Sequence, residues 1–184
     1  MTEISLHILD LAQNAISAGA RHIGIDVEED AAANLLTVSI CDDGCGMDAE
    51  MVQRVQDPFV TSRKTRKVGL GIPMFREGCL RCNGNFALSS CPGEGTTIRG
   101  SYHLDHIDRQ PLGDLAGTIF LLVSANPTLD FHLRHGRNGQ EFVFDTGEVR
   151  AALQGVPLDL PEVTQWIKDC LVEGENDLLG GALA

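Results

Sequence analysis

Between Leu6 and Ile40 the apolar residues change their period, and this restricts the fold more than any other feature of the chain. Leu6, Ile8, Leu9, Ala12, Ala15 and Ile16 follow helical spacing up to Gly19, a natural stop. Ile23 to Val27 and Leu36 to Ile40 then alternate residue by residue, the period of a half-buried strand. A helix from about Ala49 to Val55 follows. A second begins after Gly69-Leu70-Gly71, with Pro73 where a first helical turn tolerates it, and ends near Asn83-Gly84. Phe86 to Ser90 and Thr97 to Leu104 read as strands joined by Pro92-Gly93-Glu94-Gly95. Helix, strand, strand, helix, helix, strand, strand is not the strict alternation of a doubly wound parallel sheet. The order predicts an α+β fold, a two-layer α/β sandwich with a mostly antiparallel sheet and helices on one face.

After His106 the character changes. Leu112, Leu115, Ile119, Leu122 and Val123 fall at helical spacing, and Phe131/Leu133 and Phe142/Phe144 alternate around Gly136-Arg137-Asn138-Gly139, a hairpin signal. Pro161 to Val172 predicts a closing helix with Trp166 and Ile167 on its apolar side, and the last dozen residues are expected to be loose. This C-terminal α/β extension either offers a binding surface or covers a sheet edge or the face opposite the helices.

Net charge is -12, so this surface repels a bare duplex or an anionic membrane, and no nucleic-acid or membrane partner is expected. No apolar run approaches the ~18 residues that span a bilayer. The start, Met1-Thr2-Glu3, has neither a basic segment nor an apolar signal core, which predicts a cytoplasmic protein. The six cysteines are then expected as thiols rather than a disulfide framework.

Four segments carry chemistry. Asp10 and Asn14 are four apart and share a helix face; an amide oxygen suits a phosphate-bound Mg²⁺, and a carboxylate one turn away can orient a water. Asp42-Asp43-Gly44-Cys45-Gly46 ends an apolar strand, where a carboxylate can accept from an exocyclic amine and glycines let backbone approach a flat base. Asp57 to Pro73 places four of the fourteen Lys and Arg within Arg63 to Lys67, just ahead of Gly69, Gly71 and a helix start that favours anions. Gly93-Glu94-Gly95-Thr96-Thr97 is a tight turn with a hydroxyl at its edge. Taken singly, each is also an ordinary turn, a solvated helix face or a solvated basic loop.

Their order and spacing over about residues 5 to 104 resemble the N, G1, F, G2 and G3 boxes of the GHKL ATPase superfamily, the Bergerat fold. The resemblance implies an ATP-binding domain at 1–106, an extension at 107–184 packed on the same domain, and ATP with Mg²⁺ as ligands. Asn14 matches the Mg²⁺-coordinating asparagine and Asp42 the aspartate that recognises the adenine amine, with Gly44 and Gly46 completing that box. Phe59 falls at the F-box position. Thr61, Ser62, Arg63 and Lys64 open a short lid that runs to Lys67. Gly69, Leu70 and Gly71 match the phosphate loop, and Gly95 and Thr96 the last box, Thr96 near the adenine. The family's usual Glu four residues before the N-box Asn is here Asp10, one methylene shorter, which predicts slow unaided hydrolysis.

The N box begins at about residue 5, so no phosphoacceptor domain of the usual kinase form is expected ahead of it. The resemblance therefore implies an ATPase or kinase acting in signal transduction on a separate, unidentified partner protein. Its alternative is a switch in which ATP closes the lid and changes a partner-binding surface. His7, on the first helix, is expected to be partly buried or solvated rather than a phosphoacceptor. The Leu6-His7-Ile8-Leu9-Asp10 opening, Val68 to Pro73, and His106-Ile107-Asp108-Arg109 to Asp114 resemble stand-alone ATP-binding proteins of anaerobic bacteria, associated with iron-hydrogenase genes. Cys79 and Cys82 match no zinc or iron-sulfur spacing and read as buried structural thiols.

Overall fold

The computed structural model describes residues 2–56 and 70–180. In chain order its elements are α1 (Ile4–Ser17), β1 (His22–Asp30), β2 (Leu35–Asp42), α2 (Ala49–Arg54), α3 (Gly71–Arg81), β3 (Phe86–Cys91) and β4 (Gly95–His103). They continue with α4 (Leu115–Ala125), β5 (Asp130–Arg137), β6 (Gln140–Asp145), α5 (Thr146–Leu153) and α6 (Pro161–Gly180). The strands form one six-stranded sheet in the order β3-β4-β2-β1-β5-β6. All neighbours are antiparallel except β1 and β5, which are parallel. Among the described residues no helix is long and apolar enough to cross a membrane.

Register decides which side chains share a face, because a slip of one residue would turn every side chain over. One row crosses all six strands: Leu88, Ile98, Ile40, Ile25, Leu133 and Phe144. All are buried except the half-buried Leu88, and each buried aliphatic is worth about 1.5–3 kcal/mol. The neighbouring row on one side runs Ser90, Thr96, Asp42, Ile23 and Phe131. On the other side it runs Phe86, Gly100, Val38, Val27, His135 and Phe142. The inner face is thus apolar in its middle and polar toward two places.

Helix α1 covers this face with Ile4, Ile8, Leu11, Ala12 and Ala15, while Leu6, which the sequence puts on the apolar side, is exposed. Its N-cap Glu3 makes no side-chain cap. Instead the strap between β4 and α4 supplies two carbonyls: Pro111 O accepts from Ile4 N–H at 3.0 Å and Leu112 O from Ser5 N–H at 2.8 Å. Asp48, Asp114 and Asp145 cap α2, α4 and α5 through their carboxylates.

Residues after 106 extend the same sheet, since β5 lies along the β1 edge and β6 pairs outside it. The turn at Asn138-Gly139 has both residues at positive φ, as a two-residue hairpin requires. The end of the chain departs from expectation: α6 continues to Gly180 instead of loosening after Val172. Its buried stripe is Ile167, Leu171, Glu175 and Leu178, and Gly174 lets the Phe142 ring close against the helix. Trp166 lies about 100° round the helix from Ile167 and is 52% exposed, not part of the apolar side.

Candidate functional site

Helix α1 and the start of α3 meet where three of the motif residues converge. A Cβ on Gly71 would stand 3.1 Å from Asp10 Cβ, 3.4 Å from Asp10 Oδ2 and 3.6 Å from Asn14 Nδ2. Any larger residue would fill the space in front of that carboxylate and amide, and glycine leaves it open. Asn14 Nδ2 is buried with no hydrogen-bond partner among the described residues. His7 Nδ1, Tyr102 Oη and His135 Nε2 are in the same state, so what marks Asn14 is its place beside Asp10 and Gly71. Leu70, immediately ahead of α3, is half-exposed at the rim.

One turn beyond Asn14, α1 ends against the loop after β2. Ala18 O accepts from Cys45 N–H at 2.9 Å, and Gly44 is buried between Ala18 and Asp42. The two adjacent aspartates of this loop have opposite surroundings. Asp43 is spent on backbone: its Oδ1 accepts from Arg21 N–H at 2.7 Å and His22 N–H at 2.9 Å, and its Oδ2 faces His22 Nδ1 at 2.7 Å. The His22 N–H and imidazole hold the Asp43 carboxyl down at about 2. Asp42 is half-buried on the inner face; burial, aided by the nearby Asp43 charge, raises its carboxyl despite the Gly44 N–H at 2.8 Å. It is the carboxylate that gains most from an incoming hydrogen-bond donor.

Across the sheet Asp42 is paired with Thr96, and Thr96 with Ser90. Ser90 Oγ accepts from Met47 N–H at 2.8 Å, donates to Gly95 O at 2.9 Å and lies 2.9 Å from Thr96 Oγ1. It ties the Asp42 loop to the β3–β4 hairpin. Gly46 has φ +65, and a Cβ there would overlap the Cys91 carbonyl, so only glycine lets the two loops touch. Ser90 went unnoticed in the sequence. The signal was a hydroxyl in the inward alternation Phe86, Leu88, Ser90, where a third apolar residue would otherwise sit.

Asp10, Asn14 and Gly71 therefore converge, as do Asp42, Gly44, Gly46, Gly95 and Thr96, and α1 joins the two groups. Phe59, Thr61, Ser62, Arg63, Lys64 and Gly69 lie outside the described residues. His7 is buried, with Nε2 2.9 Å from Gln110 Oε1, and burial lowers its pKa. Cys79, on the sheet-facing side of α3, and Cys82, at its C-cap, are buried, and burial pushes the Cys79 thiol up to about 11. Among the described residues no group of three or more His, Cys, Asp or Glu converges on a metal position. The oxygen donors suited to Mg²⁺ are those of Asn14 and Asp10, hard ligands one helical turn apart.

Residues 2–106 match the family described as histidine kinase-, DNA gyrase B-, and HSP90-like ATPase. The chain is 30% identical over 112 residues to the non-motile and phage-resistance protein of Caulobacter vibrioides, covering 56% of this chain and 13% of that protein. It is 30% identical over 103 residues to the sensor protein kinase WalK of Staphylococcus haemolyticus, covering 53% of this chain and 17% of that one. The chain thus spans less than a fifth of the length of these relatives. In fold it is similar to the Aquifex aeolicus MutL ATPase domain complexed with ADP, with a TM-score of 0.54 at 13% identity, covering 84% of this chain and 70% of that one.

Proposed function

The chain belongs to the histidine kinase-, DNA gyrase B- and HSP90-like ATPase family, and from that premise we propose that it binds ATP with Mg²⁺ in the cytoplasm and passes the γ-phosphoryl group to a separate partner protein. The observation that carries this reading is the arrangement of two polar groups along one helix. Asp10 and Ala18 are eight residues apart, about 12 Å along the α1 axis, enough to separate a base from its phosphates. At the Ala18 end Asp42 accepts from the adenine amine, and Thr96 lies beside it. At the Asp10 end the first-turn N–H groups and positive dipole end of α3 receive the phosphates.

Asn14 with the phosphate oxygens would hold Mg²⁺, which supplies charge neutralisation on the triphosphate. Asp10 sits one turn from Asn14 and orients the acceptor hydroxyl, imidazole or water by accepting its proton. The buried His7 is shielded from the bound phosphates, which agrees with an acceptor on another molecule. Relatedness to sensor kinases supports phosphoryl transfer over simple hydrolysis.

The test is to supply Mg²⁺ and γ-labelled ATP to the wild type, Asn14→Asp and Asp10→Asn, and follow the label. Retention of intact ATP by the wild type, lost in Asn14→Asp, is the expected result and directs attention to the acceptor protein. Wild-type binding by Asn14→Asp would remove the proposed Mg²⁺ role. Rapid release of labelled phosphate would instead support a conformational switch that binds or releases a partner without phosphorylating it.

A further inference from the structure

The contacts across the β1–β5 pairing point to a second task for the chain beyond residue 106. We propose that this extension positions Asp42, and so sets the selectivity for adenine, through a line of side chains from Arg150 by way of Asp130 and His22 to Asp43. The proposal rests on the reading of Asp42 as the adenine-recognising carboxylate.

The line starts on α5. Arg150 is ion-paired with Asp130 Oδ1, and its Nη2 donates to Pro127 O at 2.8 Å and Leu129 O at 2.6 Å. Asp130 opens β5, pairs in register with His22, and donates its N–H to Arg21 O at 2.8 Å. Its other carboxylate oxygen, Oδ2, stands 3.3 Å from His22 Nε2. His22 therefore has a carboxylate at each ring nitrogen, Asp130 from the extension and Asp43 from the loop at 2.7 Å. Asp43 takes two further hydrogen bonds from the N–H groups of Arg21 and His22. Because Asp43 is the next residue after Asp42, holding it against the start of β1 restricts where the Asp42 carboxylate can point.

These side chains are largely exposed, and exposed pairs add little to stability. Their effect is on position, where a displacement well under 1 Å weakens a directional hydrogen bond that a base depends on. The loop is also held by Ser90 to Met47 N–H, by Cys45 N–H to Ala18 O at 2.9 Å and by Gly93 N–H to Cys45 O at 2.8 Å. The extension adds its fixing through His22, on the side that faces away from the β3–β4 hairpin.

The experiment compares affinity for ATP and for inosine triphosphate, whose base carries a carbonyl in place of the exocyclic amine. Both are measured calorimetrically with the full chain. His22→Ala and Asp130→Asn, on separate strands, are each expected to reduce the ATP-over-ITP preference by about threefold to tenfold, as loss of a weak tether acting on orientation would. A matched control is His132→Ala, which breaks the exposed His132–Asp145 pair at 2.9 Å elsewhere in the extension and should leave the preference unchanged. A merely structural role would lower both affinities together and leave their ratio alone. Asp42→Asn, whose amide can donate to the inosine carbonyl, should reverse the preference. A wild type with no preference, or an Asp42→Asn variant that keeps it, would overturn the ATP reading and this proposal with it. A normal preference lost only in Asp42→Asn, with His22→Ala and Asp130→Asn at the wild-type ratio, would overturn the proposal alone.

Discussion

The inner face of the sheet carries polar groups in two regions, and the chain treats them in opposite ways. In the region after residue 106 they face charged or polar partners from the protein itself. His135 is fully buried, with Nδ1 2.9 Å from Glu175 of α6 and Nε2 at an ion-pair distance of 3.5 Å from Glu29. Thr146 Oγ1 accepts from Phe131 N–H at 2.8 Å. Around Asp42 and Asn14 the polar groups are left open: one carboxyl is raised by burial, and one amide nitrogen has no partner among the described residues. The difference lies in charge: buried His135 has two carboxylates beside it, although its Nε2 makes no hydrogen bond among the described residues, whereas burial leaves the Asp42 carboxyl raised.

The sharpest way to break this contrast is to treat both regions alike. Glu175→Ala leaves His135 buried without its nearest carboxylate and should cost about 3–5 kcal/mol, read as a lower urea midpoint, with ATP affinity of the folded protein unchanged. A smaller stability effect follows from pH. Burial alone would lower the His135 imidazole, but Glu175 and then Glu29 outweigh it and raise it to about 9 from 6.5. The stabilisation is complete below about 6.5 and is lost as pH rises through about 9, on the order of 3 kcal/mol. His135→Gln should flatten the urea midpoint over that window. A midpoint that does not fall for the wild type would mean that the imidazole is not charged there.

Effects in the open region should appear in binding rather than stability. Asp42→Ala removes an acceptor for a charged hydrogen bond, and ATP affinity should fall about 10- to 100-fold by calorimetry. The urea midpoint should hold or rise, because a desolvated carboxylate is gone. A midpoint drop like that of Glu175→Ala would erase the distinction between the regions. Ser90→Ala gives the smallest change, since Ser90 acts through the Met47 and Gly95 backbone and Thr96. A threefold to tenfold weakening of ATP binding, about 0.5–1.5 kcal/mol, with a slightly lower melting temperature is expected.

The fold was legible because period and turn chemistry are local. The alternation from Ile23 to Val27 and from Leu36 to Ile40, and the positive-φ residues at Asn138-Gly139, each report a backbone state from adjacent residues. The helical pair Asp10 and Asn14 was visible for the same reason. Helix α6 was legible only in its first half, because its last turns are held by His135 and Phe142, residues more than thirty positions earlier. Trp166 misled because size and apolarity mark a side chain as core only when its angle on the helix agrees, and Ile167, Leu171 and Leu178 occupy that angle.

By itself the sequence determined the element types, the motif order and the residues that carry hydrogen-bonding chemistry, since these depend on neighbours within a few positions. The motif match picked Asp42 over Asp43 without a physical reason. The tertiary structure supplied one, by pairing Asp42 with Thr96 on the buried face and turning Asp43 toward His22 and the strand start. The same holds for Gly71 against Asp10 and Asn14, for the strap carbonyls on α1 and for Asp130 beside His22. The physical reason is that burial and register are properties of the assembled sheet. A carboxylate's chemistry follows from what surrounds it, and those surroundings come from parts of the chain that local sequence does not connect.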